Sequence, residues 1–317
     1  MTLTLYRSTD VAAPQLTGQS GSLIALLDAV LVTGYGSGGS AKAPAGWAKT
    51  YVASDGFTAA YRPAAGNRLY LQVADSGAGA DTTKSARVRG YEAMSDAVTG
   101  IAAFPTTAQN SALPIVVLKS QTTDGTYRPW IAVATATYLY LFVDSGASAG
   151  SYAAFFWGDI DSYRTGGDPH GTAIVGRYQE SYSNSGSETL HLLGSTLTTT
   201  LVGHYICRPY TDIGGSLQNM VAPSDTASSQ SVMGGGQLAV GFNGPDGGFY
   251  SCSAEFFEAV AGVPHRRGRM PGLRIPCHNR AVSGDSVVTG LGGLSGHSYL
   301  AVNLWGGNGQ VLVEIPA

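Results

Sequence analysis

The chain consists mainly of short apolar runs separated by clusters of turn residues. Runs of about four to eight residues that are rich in Val, Ile, Tyr, Phe and Thr, and are bounded by Gly, Pro, Asn or Ser, are typical of β-strands. We therefore predict a mainly β fold with sandwich-like sheets. The predicted strands are Lys49–Ala53, Thr58–Tyr61, Arg68–Ala74, Ala86–Tyr91, Ile115–Lys119, Trp130–Thr135, Tyr138–Asp144, Ala153–Gly158, Ala173–Arg177, Thr189–Leu193, Thr196–Ile206, Leu238–Phe242, Gly248–Phe257 and Leu273–Pro276.

Two segments indicate how the sheets pack. In Tyr138–Val143 the tyrosines share one face and the leucines the other, so both faces are largely apolar. A strand of this kind lies inside a sandwich or beneath a helix. Near the end of the chain, Tyr299–Trp305 and Gln310–Ile315 flank a Gly-Gly-Asn-Gly sequence at 306–309, which predicts a β-hairpin.

One segment near the N-terminus has helical rather than strand-like spacing. Residues 1–18 are expected to form an extended arm, and Ser20 or Ser22 is expected to cap the helix that follows. Gly34 and Gly36 are expected to end this single short helix. The apolar residues at helical spacing are Leu23, Leu26, Leu27, Val30 and Leu31.

Three tripeptides occur twice in the same order, which indicates an internal duplication. Tyr-Arg-Pro, Leu-Tyr-Leu and Asp-Ser-Gly begin at residues 61, 69 and 75 and again at residues 127, 139 and 144. No clear third copy follows. We predict an N-terminal arm and helix (1–44), a duplicated β domain (45–165), and a second β domain with the C-terminal hairpin (166–317).

The composition suits a folded protein that exposes few charges. Charged residues make up 12% of the chain and hydrophobic residues 44%, with 44 glycines. Two interpretations remain open, a subunit covered by partners in an assembly or an all-β domain with many glycine turns. The formal net charge of −3 argues against a nucleic-acid partner held by its phosphates.

Targeting and redox signals are weak. Cys207, Cys252 and Cys277 are far apart in sequence, so no disulfide scaffold is indicated. The N-terminus has no basic region followed by an apolar run, and the longest apolar run, Leu23–Val32, is too short to span a bilayer. We expect a protein made in a reducing cytoplasm, without membrane insertion.

The densest acidic cluster in the sequence is formed by Asp159, Asp161 and Asp168, with His170 beside them. A D-x-D pair at a strand end can bind Ca²⁺ or serve as an acid–base pair. The rest of a calcium-loop pattern is missing, so we favour solvated or turn-capping side chains at a sheet edge. Asp159 and Asp161 are left unassigned as metal ligands.

Other candidate sites also have a simpler structural interpretation. Residues 265–269, His-Arg-Arg-Gly-Arg, form a basic cluster just before Pro271, in a predicted turn-rich linker. A solvated or interface-paired loop is favoured there over a phosphate-binding patch. A thiolate and an imidazole, here Cys277 and His278, suit zinc or iron when a further ligand is present. The candidates for that further ligand are Cys207, Cys252 and His204.

Buried free thiols are favoured over that metal site, because neighbouring side chains on a strand face opposite ways. Catalytic motifs such as G-x-S-x-G, H-E-x-x-H and the phosphate loop are absent from the sequence. We therefore predict no enzyme activity, no catalytic, cofactor-binding or metal residues, and no cofactor. Aromatic side chains near turns are expected to be core or interface anchors, with stacking on sugars as the alternative. They are Trp130, Trp157, Tyr163, Tyr178 and Tyr182.

Several distinctive segments, distributed over most of the chain, resemble virion proteins of tailed bacteriophages. The resemblance implies no site residues that can be carried over to this chain. The segments are Leu5–Asp10, Ala13–Gly18, Leu26–Ala29, Gly34–Ser37, Ala45–Trp47, Phe156–Tyr163 and Gly309–Ile315.

The resemblance implies a structural protein of the phage particle, localised to the virion after assembly in the host cytoplasm. A place in the tail, baseplate or tail tip is expected, with copies of itself and other virion proteins as partners. The alternatives are a receptor- or glycan-binding module whose partner is a host surface glycan, and a head decoration protein. A hydrolase of cell-wall sugars built on Asp159 and Asp161 is a third reading.

Overall fold

The computed structural model is built almost entirely from antiparallel strands, together with one short α-helix among the residues it describes. The predicted fold class, mainly β with sandwich-like sheets, is confirmed. Within the described residues, none of the helices has the length and apolar character that crossing a bilayer requires. The described residues are 2–76, 82–109, 115–147, 149–178, 203–218, 220–223, 251–260, 263–276, 283–289, 295–305 and 310–317.

The described residues contain 21 strands. In chain order they are β1 (Thr4–Arg7), β2 (Ala48–Val52), β3 (Thr58–Arg62), β4 (Tyr70–Ala74), β5 (Ser85–Tyr91), β6 (Ala93–Met94), β7 (Gly100–Ile101), β8 (Ile115–Leu118), β9 (Trp130–Ala134), β10 (Tyr138–Val143), β11 (Ala153–Asp159), β12 (Asp161–Ser162), β13 (Thr172–Val175), β14 (His204–Ile206), β15 (Leu217–Gln218), β16 (Met220–Pro223), β17 (Ser251–Val260), β18 (Val263–Pro276), β19 (Val287–Thr289), β20 (Ser298–Asn303) and β21 (Gln310–Ile315).

The nine strands predicted between residues 49 and 177 agree with the structure to within two residues at each end. The predicted C-terminal hairpin is confirmed by the pairing of β20 with β21. The predicted N-terminal arm is a strand, β1, which pairs with β9. The strands predicted at Thr189–Leu193 and Leu238–Phe242 lie outside the described residues.

Among the described residues, three sheets are stacked face to face. The central sheet has the order β1-β9-β10-β11-β13-β14-β15. On one side lies the first outer sheet, β2-β3-β4-β5-β8, and on the other lies the second outer sheet, β16-β17-β18-β21-β20-β19, with β12 paired to β18. The central sheet therefore has an apolar core on each of its faces.

Strand β10 shows how the pattern of the sequence produces this stack. Leu139 and Leu141 belong to the core shared with the first outer sheet. Tyr140 and Phe142 belong to the core shared with the second outer sheet. Successive side chains on a strand point to opposite faces, so β10 has one face in each core. The prediction that this strand lies inside a sandwich is therefore confirmed.

The helix closes one end of the first core. It comprises an α-helix, α1 (Ser22–Leu27), that continues as a π-helical turn over Asp28–Thr33 and ends at Gly34. Burial of its leucines and valines against the sheets supplies about 1.5–3 kcal/mol for each side chain. The buried residues of this segment are Leu23, Ile24, Leu26, Leu27, Val30 and Leu31.

The predicted serine cap of this helix is wrong. Gly21 occupies the N-cap position with a φ of 79°, and the hydroxyl of Ser22 donates to the carbonyl of Thr17 at 2.8 Å. Asp75 replaces the serine, since its Oδ2 accepts a hydrogen bond from the backbone N–H of Leu23 at 2.8 Å. A carboxylate that lies 52 residues away in sequence thus satisfies the start of the helix.

Asp75 is itself held by a buried lysine. Nζ of Lys119 donates to Oδ1 of Asp75, and both side chains are fully buried. The same ammonium group donates to the carbonyl of Gln19 at 2.7 Å and contacts the hydroxyl of Ser22 at 3.3 Å. This ion pair links the ends of β4 and β8 to the segment that enters α1.

The internal duplication is visible in the sheets, although one of its three tripeptide matches is wrong. Both Leu-Tyr-Leu segments, one at the start of β4 and one within β10, place their leucines in the first core. Tyr61 is buried within β3, whereas Tyr127 is 62% exposed and precedes β9. The counterpart of Tyr61 is Ala132, because these residues lie opposite Leu71 and Leu141 in their hairpins.

Hydrogen bonds of the central sheet cross both predicted domain boundaries. This sheet takes β1 from the segment 1–44 and β13, β14 and β15 from the segment 166–317. The second copy of the duplicated unit contains β9, β10 and β11, and it is completed by β1 and β13, which lie outside residues 45–165. The spatial order β1-β9-β10-β11-β13 repeats the order β2-β3-β4-β5-β8 of the first outer sheet.

Strand β18 corrects the prediction of a turn-rich linker around residues 265–271. Its pairing with β17 is interrupted twice, between Ser253 and Glu255 and again between Phe256 and Phe257. Pro271 and Gly272, with a φ of 64°, lie within the first interruption. Proline is tolerated in this strand because the ladder needs no N–H at an irregularity, and glycine adopts the left-handed conformation there at little cost.

Candidate functional site

A group of charged side chains meets where the loops after β5, β12 and β14 approach strands β17 and β18. We call this group the charged cluster. Each member is paired with at least one other member by an ion pair. Its members are Glu92, Arg164, Asp168, His170, Arg208, Asp212, Glu258 and Arg267.

The centre of the charged cluster is a buried arginine between two buried carboxylates. Nη2 of Arg267 donates to Oδ1 of Asp168 at 2.6 Å, and Nε lies 3.2 Å from Oε1 of Glu258. The Arg267 and Glu258 side chains are each 1% exposed, and Asp168 is 4% exposed. Removing one partner of such a group leaves an uncompensated buried charge, which costs about 3–5 kcal/mol.

A β-bulge sets the direction of the Arg267 side chain. Gly268 lies opposite Phe256 and Arg266 lies opposite Phe257, so Arg267 has no partner in the register of β17 and β18. An extra residue of this kind bends a strand and re-aims its side chain. Here the guanidinium group reaches Asp168, which lies in the loop between β12 and β13.

The outer part of the charged cluster joins the first outer sheet to the central sheet. Glu92 follows β5 and accepts two hydrogen bonds from Arg208, which follows β14; the bond to Nη2 measures 2.6 Å. Oδ2 of Asp212 lies 2.6 Å from Nη2 of Arg164, and its Oδ1 lies 2.8 Å from Nδ1 of His170. Nε2 of His170 lies 3.9 Å from Oε2 of Glu92, which completes the chain of contacts.

These contacts favour the ionised form of both outer carboxyl groups. Hydrogen bonds from Arg164 and His170 hold the pKa of Asp212 well below its ordinary value. Burial acts in the opposite direction on Glu92, but hydrogen bonds from Arg208 and Cys207 outweigh it and the pKa of Glu92 is lowered. The carboxylates of Glu92 and Asp212 therefore form ion pairs with Arg208 and Arg164 at neutral pH.

A cleft of about 400 Å³ opens beside the charged cluster. Its rim carries two tyrosines, Tyr163 at 48% exposure and Tyr210 at 45%. The Tyr163 hydroxyl donates to Oε1 of Glu255 at 2.8 Å, and burial followed by this hydrogen bond raises its pKa. We call this feature the tyrosine cleft, and its lining includes Tyr163, Arg164, Tyr210, Glu258, Arg266 and Arg267.

The structure separates the two carboxylates of the predicted D-x-D pair. Asp159 is largely buried, and its carboxylate accepts hydrogen bonds from Oγ1 of Thr172 at 2.7 Å and the backbone N–H of Asn67 at 2.8 Å. Burial raises the pKa of Asp159, although these hydrogen bonds oppose the shift. Asp161 is 48% exposed and pairs with Arg269 at 3.1 Å. Asp159 thus connects the end of β11 to the start of β13 and to the turn at Asn67, whereas Asp161 lies in a surface ion pair.

Asp168 and His170, by contrast, are both members of the charged cluster. Glu92, Arg208 and Asp212 come from distant segments of the chain, and no sequence pattern indicated that they would meet here. Glu258 was also missed, although a glutamate within the otherwise apolar segment Phe256–Val260 at the end of β17 is a signal that sequence reasoning can use.

The metal site considered from the sequence lies partly outside the described residues. Cys207 and Cys252 are buried in different cores, on opposite faces of the central sheet. Burial raises the pKa of the Cys207 thiol well above its usual range. Cys277 and His278 lie outside the described residues. In the described part of the chain, no group of three or more His, Cys, Asp or Glu side chains is arranged to hold a metal ion.

The basic segment at 265–269 is part of β18, where Arg267 pairs with Asp168 and Glu258, and Arg269 pairs with Asp161. Among the aromatic candidates, Trp130 and Trp157 are buried core residues. Tyr163 lies at the tyrosine cleft, and Tyr182 is outside the described residues. No protein-family model matches the chain, and no curated protein sequence is similar to it.

Proposed function

We propose that this chain is a structural component of a bacteriophage particle, located in the tail or tail tip and joined to copies of itself and to other virion proteins. The observation that carries this proposal is a set of exposed aliphatic side chains on a chain with few charges. Val98 is 63% exposed, Ile101 68% and Ile213 80%. Apolar side chains of this kind are stabilised when a neighbouring subunit covers them.

The hairpin formed by β6 and β7 is the best-defined of these surfaces. Asp96 accepts hydrogen bonds from the backbone N–H groups of Val98 and Thr99, at 2.8 and 2.7 Å, and so fixes the turn. Val98 lies in this turn and Ile101 ends β7. A rigid turn presents an apolar side chain to a partner without a large loss of conformational entropy on binding.

Three further observations support an assembled scaffold. The core is distributed over three stacked sheets, the unit of five strands is used twice, and charged residues make up only 12% of the chain. The resemblance of segments such as Leu5–Asp10 and Phe156–Tyr163 to virion proteins of tailed phages points in the same direction.

The proposal is tested on purified particles of the phage whose genome encodes this chain. We expect the chain among the proteins detected by mass spectrometry of the particles, and antibody-gold labelling at the tail. In a phage carrying Val98→Asp together with Ile101→Asp, we expect the amount of the chain per particle to fall severalfold, because charges would be buried at a contact.

Val287→Asp is the matched control, since Val287 is 52% exposed on β19 and lies outside the hairpin. This variant should be incorporated as the wild type is. Particles that lack the chain would contradict the proposal. Equal incorporation of the hairpin variant and the control would exclude the β6–β7 hairpin as the contact surface.

A further inference from the structure

The tyrosine cleft contains hydrogen-bond donors that have no acceptor among the residues that the structure describes. They are Nη1 of Arg267 and Nη1 of Arg164. The Arg267 side chain is 1% exposed, so this donor is deep in the protein rather than on its surface. A buried guanidinium N–H without an acceptor is costly, and a ligand oxygen would remove that cost.

The carboxylates around these arginines orient the guanidinium groups. Asp168 accepts from Nη2 of Arg267, and Asp212 accepts from Nη2 of Arg164. Neither Nη1 has a hydrogen-bond acceptor among the described residues, although Nη1 of Arg164 lies 3.8 Å from Oδ1 of Asp168. Guanidinium groups held in this way bind a carboxylate through charge-assisted hydrogen bonds, which are about twice as strong as neutral ones.

The rim of the cleft offers a different chemistry. The rings of Tyr163 and Tyr210 are each about half exposed and are available as flat apolar surfaces. Such rings combine a large contact area with few rotatable bonds, so ordering a ligand against them is inexpensive. A cleft lined by half-exposed tyrosines and by arginines matches a ligand that has both a ring with apolar faces and an acidic group.

We propose that the tyrosine cleft binds an acidic saccharide, with its carboxylate at Arg164 and Arg267 and its sugar rings against Tyr163 and Tyr210. A cleft of about 400 Å³ is within the range of small-molecule sites and admits a short segment of such a chain. This site goes beyond the proposed structural role, and it is tested on the isolated protein without any particle.

Isothermal titration with tetragalacturonate tests the proposal, with galactotetraose as the neutral probe and sodium sulfate as the free anion. We expect saturable binding of tetragalacturonate alone. Arg164→Gln should weaken it about tenfold or more, because a charge-assisted hydrogen bond is lost. Tyr210→Ala should weaken it about tenfold through loss of the stacked ring.

Tyr127→Ala is the matched control, since Tyr127 is 62% exposed and lies outside the cleft. Circular dichroism of each variant verifies that it is folded before titration.

Four outcomes would overturn the proposal. The first two are the absence of saturable binding and an equal affinity for tetragalacturonate and galactotetraose. The third is that sulfate binds as tightly as tetragalacturonate and displaces it. The fourth is that Tyr127→Ala weakens binding as much as Tyr210→Ala does. Loss of this binding has no bearing on whether the chain is found in the virion, so the two proposals fail independently.

Discussion

The first outer sheet and the central sheet contain the same five-strand unit, but in the described structure the first outer sheet has a large core on one face and the central sheet has one on each face. Tyr140 and Phe142 of β10 are buried in the second core. Their counterparts seventy residues earlier, Tyr70 and Gln72 of β4, face a small cluster beneath the β6–β7 hairpin. The comparison teaches that the layer in which a copy lies depends on its outward-facing side chains.

The two copies also use the aspartate at the end of the strand differently. Asp75 accepts a hydrogen bond from Leu23 and pairs with Lys119, whereas Asp144 accepts only local backbone hydrogen bonds in the described structure, from Gly146 and Gly150. The Leu-Tyr-Leu segments are 70 residues apart and the aspartates 69. A shift of one residue turns a side chain to the other face of a sheet, so the second aspartate cannot repeat the role of the first.

The largest expected effect comes from Phe142→Ala. Removing a buried phenylalanine from the second core should lower the free energy of unfolding by about 3–5 kcal/mol. Its counterpart Gln72→Ala should cost about 1 kcal/mol, because it loses one hydrogen bond to the carbonyl of Ala97. Chemical denaturation of both variants measures the difference, and equal losses would mean that the two layers do not differ as described.

Lys119→Met is expected to have the next largest effect. It leaves Asp75 buried without its cation, and we expect a loss of about 3 kcal/mol. Adding Asp75→Asn to that variant should recover part of the loss, since the uncompensated charge is then gone. Asp144→Asn should cost about 1 kcal/mol, because only turn hydrogen bonds are weakened. Denaturation midpoints of the four proteins would contradict this account if Asp144→Asn were as damaging as Lys119→Met.

The smallest expected effect concerns the ion pairs of Glu92 and Asp212, which join the first outer sheet to the central sheet, and their loss at acid pH. The pKa values of Glu92 and Asp212 lie below their ordinary values of 4.5 and 3.8. These carboxyl groups stabilise the folded chain at any pH above their ordinary pKa values. As the pH falls below the ordinary values towards the lowered ones, the unfolded chain takes up more protons than the folded chain, so this stabilisation is lost.

Thermal unfolding at pH 7 and pH 3 measures this loss. The variant Glu92→Gln with Asp212→Asn should be less stable than the wild type at pH 7 and should lose less stability on acidification. If the variant and the wild type lose the same stability between pH 7 and pH 3, these carboxyl groups do not contribute.

The strands and layers could be predicted because their signal is local. The alternation in β10 identifies two apolar faces within six residues, and the turn residues around it limit its length. The cap of α1 and the charged cluster could not be predicted. Asp75 reaches Leu23 across 52 residues and Arg267 reaches Asp168 across 99 residues. No periodic pattern records a contact that only the stacking of the sheets creates.

The tripeptide repeat shows the same limit from another side. The match of Tyr127 with Tyr61 was wrong because identical tripeptides carry no information about hydrogen-bond register. Asp161 and Asp159 were adjacent in the pattern and are separated in space, since one ends a buried strand and the other begins a strand at the surface. A glycine-rich and serine-rich sequence offers many such matches, and only the pairing of strands distinguishes them.

The irregularity in β18 restricts how this protein can change in length as its sequence diverges. Met270 precedes Pro271 and Gly272 and faces the second core, as do Leu273 and Ile275 after them. A spacing of three would place Met270 and Leu273 on opposite faces of a regular strand, so the irregularity at Pro271 and Gly272 is what keeps both in the second core. Relatives of this chain should therefore either keep this spacing together with the irregularity, or lack one residue there and have a regular strand.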